Sequence, residues 1–321
     1  MKTVGFVISH KENERRRALI PDDLITIRNT DRMYFEKGYG DILGYCDNDF
    51  VKMGANVVTR EESFSKDILC NPKTPEKDEK PFLRKNQILF GWMHAVQNKE
   101  ITDLLIEKKM TAIAWEKMFK DNRHVFWRNN ELAGEAAIMH ASQYIGKPLY
   151  NCTIAVLGKG NCATGAIKIL KKLGVDITLY DRSSINSLNE DIGKYDVIVN
   201  AILWNVFNEH RIIYKDDLRK MKKGSMIIDI SCNHQMEIET GYPTTIEKPI
   251  YVVDGIIHYA VDHTPAIFWK TASESISHEI AKFIDDLTEE NENAVLEKAT
   301  IIDKGMILDT DIMQFQRRSA F

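Results

Sequence analysis

The segment CTIAVLGKGNCATGAIKILKKLGVDITLYD, residues 152–181, decides the predicted fold. It opens with an apolar run at residues 153–157, which is typical of a strand buried on both faces. Three glycines follow that run, and apolar residues then recur at helical spacing until Gly174. A second apolar run ends at Asp181. The segment therefore predicts a βαβ unit with a tight glycine turn between its first strand and its helix.

This unit has the features of a dinucleotide-binding site. Gly158 and Gly160 let the backbone approach a pyrophosphate, and the N-terminus of the helix offers unpaired N–H groups and a partial positive charge. Ala163 stands where the fingerprint has its third glycine, a position that tolerates alanine. Asp181 follows about 20 residues on, where a carboxylate accepts from a ribose hydroxyl. The pattern predicts that the unit binds a dinucleotide.

The residues alone leave the identity of the dinucleotide open. Asp181 favours an unphosphorylated ribose, because a carboxylate repels a 2′-phosphate. Arg182, Ser183 and Ser184 follow at once, and a guanidinium with two hydroxyls suits that phosphate. In the other interpretation, Ser183 or Ser184 only caps the next helix.

Length and composition limit the class of protein. The chain has 321 residues, which predicts two domains, and its net charge of −4 gives no basic surplus for nucleic acid. No apolar run approaches the length of a membrane span or a signal peptide, so a cytoplasmic protein is expected. The five cysteines form no CxxC pair, so neither a disulfide framework nor a metal site is predicted. Cys162 lies in the glycine turn, where a small packed residue is favoured over a reactive thiol.

The N-terminal part contains a run of three arginines between predicted elements. A strand is predicted at residues 3–9 and a helix from Pro21, and Arg15, Arg16 and Arg17 lie between them. Open α/β sheets bind ligands at such strand ends, and arginine binds carboxylates through two parallel hydrogen bonds. At least one arginine is therefore predicted to bind a substrate anion, although a solvated surface run would have the same sequence.

Two further polar residues follow predicted strands. Lys73 lies between Pro72 and Pro75, which restrict its backbone and suit a positioned group. His94 follows the apolar strand at residues 87–92 and is a candidate acid/base group. Taken singly, the local evidence favours a surface lysine in a stiff loop and a structural histidine at these two positions.

The remaining pattern completes an α/β fold. Asn129 and Asn130 are predicted to cap a helix over residues 131–144, and strands are predicted at 195–202, 225–231 and 250–253. The helix at 273–287 is expected to return to the first domain. We predict a Rossmann dinucleotide-binding domain at residues 130–268. A discontinuous α/β substrate domain of similar type, 1–129 and 269–321, completes the chain, with the active site in the interdomain cleft.

Several ordered motifs connect the chain with one family. They are ERRRALIP at residues 14–21, Lys73, FGWMH at 90–94, TAIAWE at 111–116 and YVVDGIIHY at 251–259. With these motifs the chain resembles the alanine dehydrogenase and transhydrogenase α-subunit family over nearly its whole length. The resemblance implies that Arg16 holds the carboxylate of a 2-oxo acid, that Lys73 binds and polarises its oxo group, and that His94 donates and accepts protons.

The resemblance also has a departure. Alanine dehydrogenases carry an aspartate where this chain has Asn233. Three residues are candidates to take over part of the function of that aspartate: His234, Asp262 and His263. Together with the βαβ unit, the resemblance completes the predicted cofactor-binding set: Gly158, Gly160, Asn161, Ala163, Thr164, Asp181, Arg182, Ser183, Ala201, Ile202 and Asn233.

Within the family, the chain is most similar to members that condense pyruvate with the side-chain amine of ornithine and reduce the imine with NADPH. This resemblance implies pyruvate and a basic amino acid, ornithine or lysine, as substrates, NADPH rather than NADH as cofactor, and a homo-oligomer, with a tetramer favoured. Two alternatives stay open. One is an alanine dehydrogenase that uses ammonia and NADH, and the other is a nucleotide-binding protein without catalysis.

Overall fold

The computed structural model describes residues 1–318, so the last three residues of the range 269–321 assigned to the substrate domain lie outside it. The chain divides into two compact units. Unit 1 comprises Met1–Trp127 and the segment from Trp269 onward, and unit 2 comprises Arg128–Phe268. Unit 2 is thus inserted into unit 1.

Most strands are short, and they occupy the apolar runs of the sequence. In chain order they are β1 (Val4–Phe6), β2 (Met33–Glu36), β3 (Asn56–Val58), β4 (Ile68–Asn71), β5 (Ile88–Gly91), β6 (Thr111–Ala114), β7 (Phe119–Lys120), β8 (Arg123–His124), β9 (Ile154–Leu157), β10 (Ile177–Tyr180), β11 (Val197–Asn200), β12 (Met226–Asp229), β13 (Ile250–Val253), β14 (Ile256–Tyr259), β15 (Thr300–Asp303) and β16 (Met306–Ile307).

The α-helices range from a single turn to 21 residues. They are α1 (Pro21–Leu24), α2 (Asp47–Lys52), α3 (Arg60–Phe64), α4 (Lys99–Glu107), α5 (Trp127–Ala141), α6 (Asn161–Lys172), α7 (Leu188–Asp191), α8 (Trp269–Glu289), α9 (Ala294–Ala299) and α10 (Thr310–Phe315). In residues 1–318, no helix combines the length and the apolar character needed to cross a membrane.

Unit 1 is built on a sheet in the order β16-β15-β6-β5-β4-β1-β2-β3. The six strands from β6 to β3 are parallel, whereas β15 pairs antiparallel with β6 and extends the sheet. Three isoleucines of α8 (Ile276, Ile280 and Ile284) are buried against strand residues such as Phe6 and Phe35. The C-terminal segment therefore contributes both a sheet strand and a core helix to a unit that the N-terminal segment begins.

Unit 2 has a sheet in the order β10-β9-β11-β12-β14-β13. The strands β10, β9, β11, β12 and β14 are parallel, which confirms the predicted Rossmann-type unit. The edge strand β13 was predicted, and it pairs antiparallel with β14, which was not predicted. The two are joined at Asp254 and Gly255, both with positive φ. Asp-Gly is a strong hairpin signal, so the sequence held the information for β14.

Two further expectations need correction. Helix α5 begins at Trp127, so Asn129 and Asn130 lie inside its first turn rather than capping a helix at residue 131. Asn129 is in fact buried. The helix predicted at residues 273–287 is longer at both ends, since α8 covers Trp269–Glu289, and α9, β15, β16 and α10 follow it without having been predicted.

Candidate active site

The carboxyl ends of four neighbouring parallel strands define one edge of the unit 1 sheet. Strands β1, β4, β5 and β6 lie side by side and run in the same direction, so their following loops start at the same edge. Those loops carry Arg16, Lys73, His94 and Glu116, respectively. The fold thus brings the loops of the three predicted substrate residues to the edge where open α/β sheets bind ligands.

Arg16 is buried and held from two sides. Its Nε and Nη2 atoms donate to the two carboxylate oxygens of Glu14 at 2.8 and 2.5 Å, and its guanidinium lies 5.1 Å from the ring centroid of Trp92. Burial alone would raise the pKa of the Glu14 carboxyl, but the positive charges of Arg16 and Lys73 outweigh it and lower that pKa. Glu14 therefore stays ionised, and its negative charge interacts favourably with the positive charges of both Arg16 and Lys73.

The other two arginines of the run have different surroundings. Arg17 is also buried, but its Nε donates to the Tyr39 carbonyl at 2.5 Å and its backbone N–H donates to Ser273 Oγ at 2.8 Å. Arg15 is exposed and lies 5.0 Å from the ring centroid of Trp269. Arg17 fastens the loop to α8, so Arg16 is the arginine of the run whose setting fits a ligand group.

Lys73 follows β4 in a loop stiffened by Pro72 and Pro75. Its backbone N–H donates to Asn71 Oδ1 at 3.4 Å. Lys73 and Asn71 line a small cavity with Phe90 and Met93, with about 10 Å³ available to the centre of a water molecule. That volume is close to what one water needs. The lysine is thus half-buried at the edge of the apolar layer beneath the site.

His94 has a left-handed backbone, with φ of 46°. The carboxylate of Glu116 holds this turn, because Oε1 accepts the His94 N–H at 2.6 Å and Oε2 accepts the Met93 N–H at 3.1 Å. The imidazole itself is exposed. A non-glycine residue with positive φ stores strain that its surroundings must hold, and such strain is concentrated at functional sites. In the sequence, Glu116 stands out only as the last residue of the TAIAWE motif, and no local pattern predicts this positioning role.

A Glu116→Gln variant tests that role. Glutamine can accept only one of the two N–H groups and turns an NH2 group towards the other, which costs about 1–3 kcal/mol locally. For the pyruvate-dependent nucleotide oxidation that the family resemblance implies, we expect kcat to fall about 10-fold with an unchanged cofactor dissociation constant. Glu107→Gln, an exposed position in α4, is the matched control. An unchanged kcat in Glu116→Gln would show that the turn holds without the carboxylate.

A buried ion-pair cluster anchors the loops below the site. Arg60 donates to Glu36 at 2.8 Å and to Glu79 at 2.5 Å, and the side chain of Glu79 is fully buried. Glu36 also accepts the Ile8 N–H, and Glu79 accepts the N–H groups of His10 and Glu76. The loop after β1 and the loop after Lys73 are therefore tied to one arginine.

The glycine turn in unit 2 has the geometry of a phosphate cradle. Gly158 has φ of 107°, and a Cβ there would lie 2.8 Å from the Ala201 carbonyl oxygen. Gly160 precedes α6, and a Cβ there would meet open space. The backbone at the N-terminus of this 12-residue helix is thus open to a ligand. Its unpaired N–H groups fit a dinucleotide pyrophosphate.

Other predicted cofactor residues surround this turn. Asn161 and Thr164 lie in the first turn of α6, Ala163 is fully buried against the sheet, and Ala201 and Ile202 follow β11. Burial raises the pKa of the Cys162 thiol to about 11, which disfavours the reactive-thiol alternative.

Asp181 lies at the end of β10 and organises the residues after it. Its Oδ1 accepts from the Ser183 and Ser184 hydroxyls at 2.6 and 3.1 Å, and its Oδ2 accepts from Lys159 Nζ at 2.5 Å. Lys159 and Ser183 hold the pKa of this carboxyl well below its usual range. Ser184 precedes a 3₁₀ turn but makes no side-chain cap bond to it, so the capping alternative is wrong for Ser184. Arg182 is exposed.

Lys159 is a residue that sequence analysis missed. It stands between the two glycines of the fingerprint, and its ammonium group neutralises the carboxylate that would repel a phosphate. With Arg182 next to Asp181, this corner has two cations and one anion. The position of Lys159 between Gly158 and Gly160 was the feature of the sequence that could have indicated a cation at the cofactor site.

A buried polar cluster lies at the carboxyl ends of β11 and β12. Asn200 Nδ2 donates to Asp229 Oδ1 at 2.9 Å and to Glu237 Oε1 at 3.2 Å, and Asn233 Nδ2 donates to the two oxygens of Glu237 at 3.1 and 3.2 Å. Burial and the charge of Glu237 raise the pKa of Asp229 to about 7. Burial also raises the pKa of Glu237, while amide donors from Asn233 and Asn200 oppose that rise.

Glu237 was not among the residues expected to stand in for the missing aspartate at position 233. Of those that were, Asp262 Oδ1 lies 2.5 Å from His263 Nδ1, and His234 is exposed. Glu237 instead contacts Asn233 directly. Glu237 follows Asn233 by four residues in an irregular loop, so no periodic pattern in the sequence predicts that the two side chains meet. Among residues 1–318, no group of three or more His, Cys, Asp or Glu side chains is arranged to hold a metal ion.

Comparison with family models and known proteins assigns the chain. The N-terminal domain model of alanine dehydrogenase/PNT matches residues 8–127, and the C-terminal domain model matches residues 181–314. An N(5)-(carboxyethyl)ornithine synthase of Clostridium botulinum is 30% identical over 298 residues, which cover 88% of this chain and 93% of that protein. The chain belongs to the alanine dehydrogenase/PNT family.

Two further relatives are another N(5)-(carboxyethyl)ornithine synthase and an alanine dehydrogenase. The Lactococcus lactis N(5)-(carboxyethyl)ornithine synthase is 27% identical, with 85% of this chain and 93% of that protein covered. Alanine dehydrogenase 1 of Staphylococcus aureus is 26% identical, with 98% and 94% covered. The NAD-binding domain model of D-isomer specific 2-hydroxyacid dehydrogenases also matches residues 116–234, which include the glycine turn. The chain is an NAD(P)-dependent oxidoreductase.

Solved structures show the same fold. An L-alanine dehydrogenase has a TM-score of 0.83 at 21% identity, with 98% of this chain and 99% of that chain covered. A transhydrogenase from Sinorhizobium meliloti has a TM-score of 0.78 at 18% identity, with 95% and 100% covered.

Proposed function

We propose that this family member condenses pyruvate with the side-chain amine of ornithine or lysine and reduces the resulting imine with NADPH, as a cytoplasmic homo-oligomer, with a tetramer favoured. The observation that carries the proposal is the common origin of the Arg16, Lys73 and His94 loops at one sheet edge. The two N(5)-(carboxyethyl)ornithine synthases among the relatives support the choice of substrates.

Each of the three residues has a distinct task in the proposed reaction. Arg16, oriented by Glu14 and Trp92, binds the carboxylate of pyruvate. Lys73 binds the oxo group and polarises it, so that the neutral side-chain amine attacks the carbonyl carbon. His94 moves protons as water leaves. When bound, the reduced nicotinamide supplies the hydride that reduces the imine carbon.

Unit 2 is the proposed dinucleotide-binding domain, and unit 1 the proposed substrate domain. Gly158, Gly160 and the N-terminus of α6 would hold the pyrophosphate. The preference for NADPH is supported by charge, since Lys159 neutralises Asp181 and Arg182 adds a further cation. A 2′-phosphate binds favourably to such a corner, whereas an unneutralised aspartate would repel it.

Two variants test the cofactor preference. Lys159→Ala and Arg182→Ala should each weaken NADPH binding by about 10-fold and change NADH binding by less than about 2-fold. Lys159→Ala leaves the charge of Asp181 unneutralised, and Arg182→Ala removes a charge-assisted contact with the phosphate. Dissociation constants from nicotinamide fluorescence give both values. Lys171→Ala, exposed in the last turn of α6, is the control. Equal losses for NADPH and NADH would contradict a phosphate-specific role.

The proposed reaction is tested by varying only the amine. The purified protein is given pyruvate, NADPH and ornithine, lysine or ammonia, nucleotide oxidation is followed, and the product mass is recorded. A carboxyethyl adduct of ornithine or lysine supports the proposal. Alanine formed from ammonia would identify an alanine dehydrogenase instead. Nucleotide binding without oxidation in any mixture would identify a non-catalytic binding protein.

A further inference from the structure

The buried cluster around Glu237 has no task in the reaction described above, although it lies at the ligand-binding edge of the unit 2 sheet. The side chains of Asn200 and Glu237 are completely inaccessible to solvent, and Asp229 is 3% exposed. Within residues 1–318, Asp229 Oδ2 is buried and makes no hydrogen bond. Buried carboxylates are costly, so a pair of them in one cluster requires a compensating role.

Hydrogen bonding decides which carboxyl group keeps its charge. Glu237 accepts from the side-chain amides of both Asn233 and Asn200, and such bonds favour the ionised form. Asp229 Oδ1 also accepts, from Asn200 and from the N–H groups of Ser231 and Cys232, but the buried Oδ2 has no donor. Oδ2 is therefore the better site for the proton that two neighbouring acids share. The cluster then carries one buried negative charge, centred on Glu237.

An ionised Glu237 fixes the orientation of Asn233. A carboxylate only accepts hydrogen bonds, so the NH2 group of Asn233 must face it, and both Glu237 oxygens lie within 3.2 Å of Nδ2. The amide oxygen of Asn233 is therefore turned to the side opposite Glu237. The backbone of the loop is held as well, since Cys232 has φ of 55° and its N–H donates to Asp229 Oδ1 at 3.2 Å.

We propose that Glu237 is a positioning residue that turns the amide oxygen of Asn233 outward from the cluster, so that Asn233 accepts a hydrogen bond from the nitrogen of the amine substrate. This inference rests on the proposed function. The nitrogen becomes positively charged when the imine is protonated. The amide oxygen of Asn233, oriented by the buried negative charge of Glu237, stabilises the positive charge on the nitrogen. Because the oxygen is already in place, no reorganisation is needed during the reaction.

The test exchanges the side-chain amide of Asn233 and the carboxylate of Glu237. Glu237→Gln removes the charge and lets the Asn233 amide turn over, and Asn233→Asp places two carboxylates against each other. We expect each variant to lose about 10- to 100-fold in kcat/KM for ornithine. The double variant Asn233→Asp, Glu237→Gln again pairs one carboxylate with one amide, and should recover to within about 5-fold of the wild type. Glu190→Gln, an exposed position in α7, is the control for loss of one charge.

The readouts separate positioning from stability. Melting temperature and the NADPH dissociation constant are measured for every variant, so that a loss of kcat/KM for ornithine is compared with any loss of stability or of nucleotide binding. Because Asn233 and Glu237 are in contact, the melting temperature is expected to recover in the double variant as well. A merely structural role predicts that kcat/KM only follows the melting temperature, whereas positioning predicts that the single variants lose kcat/KM for ornithine at temperatures at which they are fully folded. If Glu237→Gln fails to fold, a folded double variant that is more active than Asn233→Asp still supports the proposal.

Two outcomes overturn the inference by itself. One is a Glu237→Gln enzyme with wild-type kcat/KM for ornithine, and the other is a double variant no more active than either single variant. If the wild-type protein shows no turnover of pyruvate with any amine, the proposed function fails, and the role of Glu237 towards the amine fails with it. Wild-type activity thus distinguishes the two failures.

Discussion

Lys73→Ala and His94→Gln will each lower pyruvate-dependent NADPH oxidation by about 10²- to 10⁴-fold, with the nucleotide still bound. Lys73→Ala removes the cation that polarises the oxo group, and His94→Gln removes the group that exchanges protons with the substrate. Both side chains lie in unit 1, whereas the proposed phosphate contacts lie in unit 2. The measurement is steady-state NADPH oxidation with saturating pyruvate and ornithine.

Two matched variants control for loss of charge and loss of an imidazole. Lys77→Ala changes an exposed lysine in the loop that carries Lys73, and His278→Gln changes an imidazole on α8 whose side chain is 69% exposed. Both should retain wild-type rates. Turnover near the wild-type rate in Lys73→Ala or His94→Gln would remove that residue from the proposed mechanism.

Gly160→Val will weaken NADPH binding by about 100-fold or more, with the melting temperature unchanged. The backbone of Gly160 has an ordinary φ of −76°, and a side chain there would extend into open space. Valine is thus tolerated by the protein itself but fills the volume where a phosphate would meet the helix N-terminus. The loss of two charge-assisted hydrogen bonds accounts for the size of the effect.

Gly158→Ala provides the contrast. Here φ is 107° and the added Cβ would lie 2.8 Å from the Ala201 carbonyl oxygen, so both stability and affinity should fall. Calorimetry and fluorescence titration of the two variants separate the effects. If Gly160→Val binds NADPH like the wild type, the pyrophosphate does not lie against α6.

The sequence predicted the parts of the fold that depend on local patterns. The apolar runs at residues 153–157 and 250–253 became strands, and the glycine turn lies between β9 and α6 as expected. The start of α5 was misplaced because asparagine is a good cap in isolation, and packing of the helix overrode that preference at Asn129. Short elements after α8 were missed, because β15 is specified by its pairing with the distant β6.

Prediction of the candidate site had a similar limit. Arg16, Lys73 and His94 follow strands, so their loops could be placed at one sheet edge from the sequence, but the side chains that contact them could not. The contact of Glu14 with Arg16 spans a turn, and the contact of Glu116 with His94 joins two loops. The contact of Glu237 with Asn233 lies within an irregular segment. No periodic pattern in the sequence predicts such contacts. Lys159 and Asp181 are likewise 22 positions apart and meet only because β9 and β10 are neighbours.

The discontinuity of unit 1 has a consequence for biosynthesis. The N–H groups of Arg17 and Ile20 donate to Ser273 and Ser277 of α8, so the arginine loop is completed only after the ribosome has translated that helix. Until then, a nascent chain presents an unpaired edge at β6 and an uncovered apolar layer, both of which are substrates for chaperones. Unit 2 is continuous in sequence and is expected to fold first, whereas unit 1 is completed only after the segment from Trp269 onward has emerged.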